Sequence, residues 1–183
     1  MNRHGFTVRL ILLLAGSFLL SSPAAAQQAV SEDDVKLALV YKIARFVSWP
    51  ESGNEPFLLC VTGDSTYSAA KNKLAGRKIR EREIGIAQVT QEDAEPPACD
   101  ALYISRGSDE IAERLLEIYD GKPVLTLSDA DGFATNGGMV GLTIRNKRVG
   151  IQINVANYER VGLSVNSQLL QLAELVGERT ARR

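Results

Sequence analysis

From residue 31 onward, segments whose apolar residues recur at helical spacing alternate with short runs that are apolar throughout. Ser31, with Asp34 three residues on, resembles a capping box with a shorter carboxylate, and Val35, Leu39, Ile43 and Phe46 then share a helical spacing. The pattern predicts an amphipathic opening helix that stops near residues 47–49, because Pro50 lacks a backbone donor and disfavours helical geometry in the residue before it. A polar turn over 51–56 leads to Phe57-Leu58-Leu59-Cys60-Val61, which reads as a strand buried on both faces, as in a parallel sheet with helical cover. Gly63 and Asp64 end it. Residues 67–74 suit a short helix closed by Gly76, and Ile84, Ile86 and, less regularly, Val89 mark a second strand. A third strand over 101–105 follows Pro96-Pro97, a helix with Ile111, Leu115 and Ile118 on one face runs from Ser108 to Gly121, and a fourth strand covers 123–127.

Beyond Asp129 the pattern changes. Gly137-Gly138 leads into a strand over 139–144, residues 145–147 form a polar turn, and 148–153 return as a hairpin partner. A final helix is predicted from Asn166, with Leu169, Leu170, Leu172, Ala173 and Val176 as its apolar content, before a basic tail at Arg179, Arg182 and Arg183. The expected fold is a single compact α/β domain, a mainly parallel sheet flanked by helices with an antiparallel hairpin near the C-terminal end.

The first 26 residues change the picture of where the chain works. Arg3 and Arg9 accompany an apolar run from Leu10 to Leu20, and Ala24-Ala25-Ala26 supply a small-residue exit. This is the pattern of a cleavable secretory signal peptide over 1–26, its apolar run being far shorter than the roughly 20 residues of a membrane-spanning helix. The expected domain is then 27–183, 157 residues (183 minus 26), exported and periplasmic. Cleavage removes two of 21 basic residues and leaves 19 against 22 acidic ones, so the formal charge moves from −1 to −3. That acidity argues against nucleic acid, which needs a basic face.

Cleavage also removes His4, the one histidine, and without it nucleophilic catalysis is left with lysine or carboxylate bases, none of which stands out. The expectation is a protein that is not an enzyme and holds no cofactor or metal. Cys60 and Cys99, the two cysteines, lack compact zinc-ligand spacing. In an oxidising compartment they read as one disulfide, the alternative being two unpaired buried thiols. Asp129-Ala130-Asp131-Gly132 superficially resembles a calcium loop but holds Ala134 and Val140 where that loop needs glycine and glutamate, so a solvated acidic turn is expected. Gly63 reads as a strand-ending turn, since no phosphate fingerprint surrounds it. Trp49 is either core or a partner anchor. Phe133, Gly137, Gly138 and Met139 form either an apolar partner or ligand surface or merely a tight lead into the hairpin.

In order, Tyr41-Lys42-Ile43-Ala44-Arg45-Phe46-Val47-Ser48-Trp49-Pro50, Leu58-Leu59-Cys60-Val61-Thr62-Gly63, Ala98-Cys99-Asp100-Ala101-Leu102-Tyr103-Ile104-Ser105, Val124-Leu125-Thr126-Leu127-Ser128-Asp129, Gly137-Gly138-Met139 and Leu169-Leu170-Gln171-Leu172-Ala173 resemble the YfiR family of periplasmic proteins. The resemblance lies in their joint order and spacing and covers nearly the whole mature chain. It implies a compact α/β domain, often a homodimer, that holds an inner-membrane diguanylate cyclase inactive by binding its periplasmic part and so lowers cyclic di-GMP. It also implies that Cys60 and Cys99 form a disulfide tying the first strand to the strand at Ala101. Some relatives carry a second cysteine pair in the later glycine-containing region; this chain has none there. Relatives also accompany sensor kinases or outer-membrane receptors, so the alternative is a small-molecule or partner-binding module linked to one of those.

Overall fold

The computed structural model describes residues 31–50, 55–145 and 148–177; the expected signal peptide over 1–26, most of the predicted turn over 51–56 and the basic tail lie outside them. Ser31 opens α1 (Glu32–Arg45), its Oγ accepting from the Asp34 amide at 3.0 Å. Three acids fill the first turn and Lys42 and Arg45 the last, each opposite in sign to the partial charge at that helix end. The buried face is Leu37, Val40, Ile43 and Ala44, which corrects the predicted stripe: Val35 and Phe46 are 37% and 36% exposed and Leu39 packs only at the margin. The two arcs adjoin around the helix and share Ile43. Periodicity marks the helix as amphipathic, but its docking angle on the sheet decides which arc is covered.

The chain continues through β1 (Val47–Ser48), β2 (Phe57–Val61), α2 (Asp64–Lys73), β3 (Lys78–Ile79), β4 (Arg82–Gln88), β5 (Ala101–Ile104), α3 (Asp109–Ile118), β6 (Leu125–Ser128) and β7 (Val140–Arg145). It ends with β8 (Arg148–Asn154), α4 (Val155–Arg160), β9 (Ser164–Val165), α5 (Ser167–Leu172) and β10 (Glu174–Val176). Eight strands form one sheet in the order β10-β8-β7-β6-β5-β2-β4-β3, and β1 pairs with β9 in a small antiparallel ladder. Strands β4-β2-β5-β6-β7 are mutually parallel, and β7 and β8 make the expected antiparallel hairpin. The mainly parallel α/β domain read from the sequence is the fold observed.

Alternation along the strands separates two cores. Phe57, Leu59 and Val61 of β2, Ala101 and Tyr103 of β5, and Leu125 and Leu127 of β6 face α1 and α2. Cys60, Leu102 and Ile104 face α3, where they meet Ile111 and Leu115. The predicted last helix is corrected: α5 stops at Leu172, Ala173 is extended, and Glu174–Val176 pairs in parallel with β8. An open edge on β8 offers backbone hydrogen bonds to a chain that a continued helix would carry past it.

Candidate functional site

Cys60 and Cys99 are joined, their Cα atoms 5.9 Å apart. Cys60 lies opposite Leu102 in the β2–β5 ladder, so the bridge ties β2 to the segment that leads into β5. Both cysteines sit in the α3-side core with Val89, Leu115 and Tyr119, whose hydroxyl donates to the Pro97 carbonyl at 2.7 Å. The next residue extends the staple. Asp100 accepts from Arg82 Nη1 and Nη2 and from the Leu58 amide, all at 2.8 Å, while its carbonyl accepts from Trp49 Nε1 at 3.0 Å. Trp49 also meets Phe57 edge-on, centroids 5.0 Å apart. Its indole is therefore part of the core, as one of its two sequence readings had it.

In open α/β sheets ligands bind beyond the C-terminal ends of parallel strands, where the strand order reverses. Here that point lies between β2 and β5 and is filled by hydroxyls. Thr62 Oγ1 accepts from the Ser105 amide and donates to Ser108 Oγ, both at 2.9 Å, and Ser105 Oγ donates to the Thr62 carbonyl at 3.0 Å. One strand further along, a cleft of about 880 Å³ opens between α3 and the β6–β7 loop. Asp109, Ala112, Glu113, Leu116 and Glu117 face it from α3, at spacings of three and four residues that form one stripe beside the buried one, and Asp120 follows just past the helix end. The loop supplies Phe133, Asn136 and Gly137, and α4 supplies Asn157 and Arg160. Arg160 Nη2 lies 2.6 Å from Asp120 Oδ1, and its hydrogen bond and charge hold that carboxyl below its ordinary range.

Of the residues singled out in the sequence, Phe133 and Gly137 border this cleft, Gly138 is buried behind Phe133, and Met139 points into the α1-side core, its amide donating to Thr126 Oγ1 at 3.0 Å. Trp49, Phe133 and Met139 do not form one surface, because they belong to different parts of two cores. Gly138 has a specific reason to be glycine: a Cβ there would overlap the Phe133 ring. Gly138→Ala should therefore lower stability by about 1–3 kcal/mol, the usual cost of overpacking, with a shifted Phe133. Urea denaturation and the near-ultraviolet spectrum check this, and an unchanged midpoint would refute the close fit.

Asp129, read from the sequence as part of a solvated turn, is buried at 3% exposure, which corrects that expectation. Its Oδ1 accepts from Tyr103 Oη at 2.9 Å and from the Arg106 amide at 2.8 Å, and its Oδ2 lies 2.7 Å from Lys36 Nζ. It thus links α1, β5 and β6 through charge-assisted bonds. The turn motif is locally polar; only the fold brings Lys36 and Tyr103 to it.

A surface the sequence reading missed lies at the sheet edge. Val149, Ile151 and Ile153 alternate onto one face of β8, Leu175 sits opposite Ile153, and Leu172 ends α5 nearby. Ile153 is buried, yet Val149, Leu175 and Leu172 are 44%, 49% and 79% exposed. The available signal was the leucine content of 169–175, which exceeds what a short terminal helix can bury.

The exposed features of this disulfide-stapled α/β domain thus include a cleft and an apolar sheet edge. The chain belongs to the YfiR/HmsC-like family, whose model matches residues 33–174. That is a family of non-catalytic periplasmic regulators of diguanylate cyclase signalling.

Proposed function

We propose that the chain is exported with residues 1–26 removed and acts in the periplasm as a repressor, binding the periplasmic part of an inner-membrane diguanylate cyclase and so lowering cyclic di-GMP. Family membership over 33–174 carries this reading. The Cys60–Cys99 bridge fits an oxidising compartment. Repression by binding requires that the domain favour the inactive cyclase by differential affinity, which needs a contact surface rather than reacting groups. The exposed Val149, Leu172 and Leu175 supply one, suited to an apolar face on the cyclase or on a second copy of the domain in a homodimer.

The test is cross-linking of the tagged protein in cells, recovery from membranes, and measurement of cyclic di-GMP. A Leu172→Glu, Leu175→Glu variant should fold normally, lose cyclase capture at least about tenfold as hot-spot residues do, and raise cyclic di-GMP. Capture of a sensor kinase or outer-membrane receptor in place of a cyclase would refute the repressor assignment. The 880 Å³ cleft favours a second reading, a small-molecule module serving such a kinase or receptor, and a ligand that raises the melting temperature would support it.

A further inference from the structure

One end of the molecule gathers cations that neither reading uses. Lys42 and Arg45 close the last turn of α1 and Phe46 follows them, the three lining a shallow pocket of about 190 Å³. The segment between α2 and β4 brings Arg77, Lys78 and Arg80 to the same place. Tyr41 Oη donates to the Lys78 carbonyl at 3.1 Å, and the Arg45 and Arg77 guanidiniums lie 5.8 and 5.5 Å from the centroid of the Tyr41 ring. Arg80 donates to the Val47 carbonyl at 3.3 Å and to Ser48 Oγ. All five cations are exposed, and among the described residues none forms an ion pair with a carboxylate. Glu81 and Glu83 of the hairpin offset them only in part. A net positive face thus stands on a chain whose overall charge is −1.

We infer that this face binds an anionic lipid surface. The cations are spread over two elements with no buried donor or enclosed cradle, so they suit a plane of headgroups better than a single anion. The partly exposed Phe46 ring among them can enter the interfacial layer, as aromatics flanked by cations do. Clustered bases near a bilayer gain roughly 1 kcal/mol each, about a fivefold gain in partitioning per residue. The inference takes from the proposed function only the setting beside a membrane, and lipid binding is measured without the cyclase.

The experiment is co-sedimentation of the purified mature protein with vesicles containing phosphatidylglycerol and with vesicles of phosphatidylcholine alone. The expected result is partitioning onto the anionic vesicles that falls as salt rises. Lys42→Gln and Arg45→Gln should each reduce it about fivefold, and Lys42→Glu with Arg45→Glu should abolish it. Phe46→Ser should reduce it while leaving the salt dependence unchanged. Circular dichroism melts establish that these surface variants fold. Equal binding to both vesicle types, or unchanged binding by the charge-reversed variant, would overturn the inference. So would loss in that variant of self-association on size exclusion in place of vesicle binding, which would assign the face to a second copy. A Leu172→Glu, Leu175→Glu variant that binds vesicles but fails to repress separates this inference from the repressor reading.

Discussion

A Cys60→Ala, Cys99→Ala variant should be less stable than the parent by roughly 3–4 kcal/mol, the chain-entropy value for a bridge spanning 39 residues in sequence. For a domain of this size each kcal/mol moves the melting temperature by about 2–4 °C, so a fall of roughly 10 °C is expected. Paired urea denaturation curves with and without reductant check it. The same loss should follow reduction of the unfolded parent, whereas reduction of the native protein should be slow, because both cysteines lie in the α3-side core beside Tyr119. Coincident curves for parent and variant would show that the ladder between β2 and β5 holds without its staple. Slow native reduction together with that loss of stability would mark the bridge as a stabilising element and not a sensing one.

The second large effect is expected at Asp129. Asp129→Ala takes the shared acceptor from the buried Tyr103 hydroxyl and from the half-buried Lys36 ammonium, which keeps its ion pair with Glu32 at 2.6 Å, so the cost is that of an unsatisfied buried donor, about 1–3 kcal/mol. Asp129→Asn, which keeps an acceptor but not the charge, should cost less. The pH dependence has a definite sign. Burial pushes the Asp129 carboxyl up, but the Lys36 ammonium, the Arg106 amide and the Tyr103 hydroxyl outweigh it and hold the group below the ordinary carboxylate range. A carboxyl depressed in the folded state contributes stability that is present above its unfolded pKa, near 3.8, and is lost as pH falls through the lower folded value. Urea midpoints for the parent should therefore drop more steeply below about pH 4 than those of Asp129→Asn. Parallel acid limbs would show that Asp129 is not a stabilising anion. The Tyr103 hydroxyl, raised by burial and by the Asp129 charge, stays protonated throughout this window.

Much of this arrangement was legible along the chain because it depends on neighbours in sequence. The run at 57–61 and the stripe of Ile111 and Leu115 carry their own signal, and β2 and α3 fall where it puts them, while α2 starts at Asp64, a turn before the predicted start at residue 67. Four of the five parallel strands, β2, β4, β5 and β6, answer to strands read along the chain, and the hairpin of β7 and β8 to its glycines and polar turn; that β7 also runs parallel to β6 was not legible, since no helix lies between them. The cysteine pair had two readings by composition, and the resemblance favoured the one observed.

Short and edge elements were not legible. β1, β3 and β9 have two residues each, too few to show any period, and exist because partners lie alongside: Val47 against Val165, Lys78 against Glu83. Nothing local distinguishes Glu174–Val176 from the last turn of a helix; the open edge of β8 makes it a strand. The same holds for the surfaces. The acids at 109, 113 and 117 carry no local sign of a site; the β6–β7 loop, crossing between parallel strands without a helix of its own, stands opposite them and forms the cleft.

The chain's own pattern thus settled the longer segments, helix or strand, and which two sulfurs were available to pair. Tertiary contact settled what those segments do. It chose Leu37 over Val35 as the covered face of α1, turned a polar turn into the buried anion Asp129, and left Leu172 in water. Local propensity and periodicity act over a few residues, whereas burial is decided by which distant segments arrive, and 42 or more residues separate Trp49 from the Asp100 carbonyl and Leu58 from the Asp100 carboxylate that fix their positions.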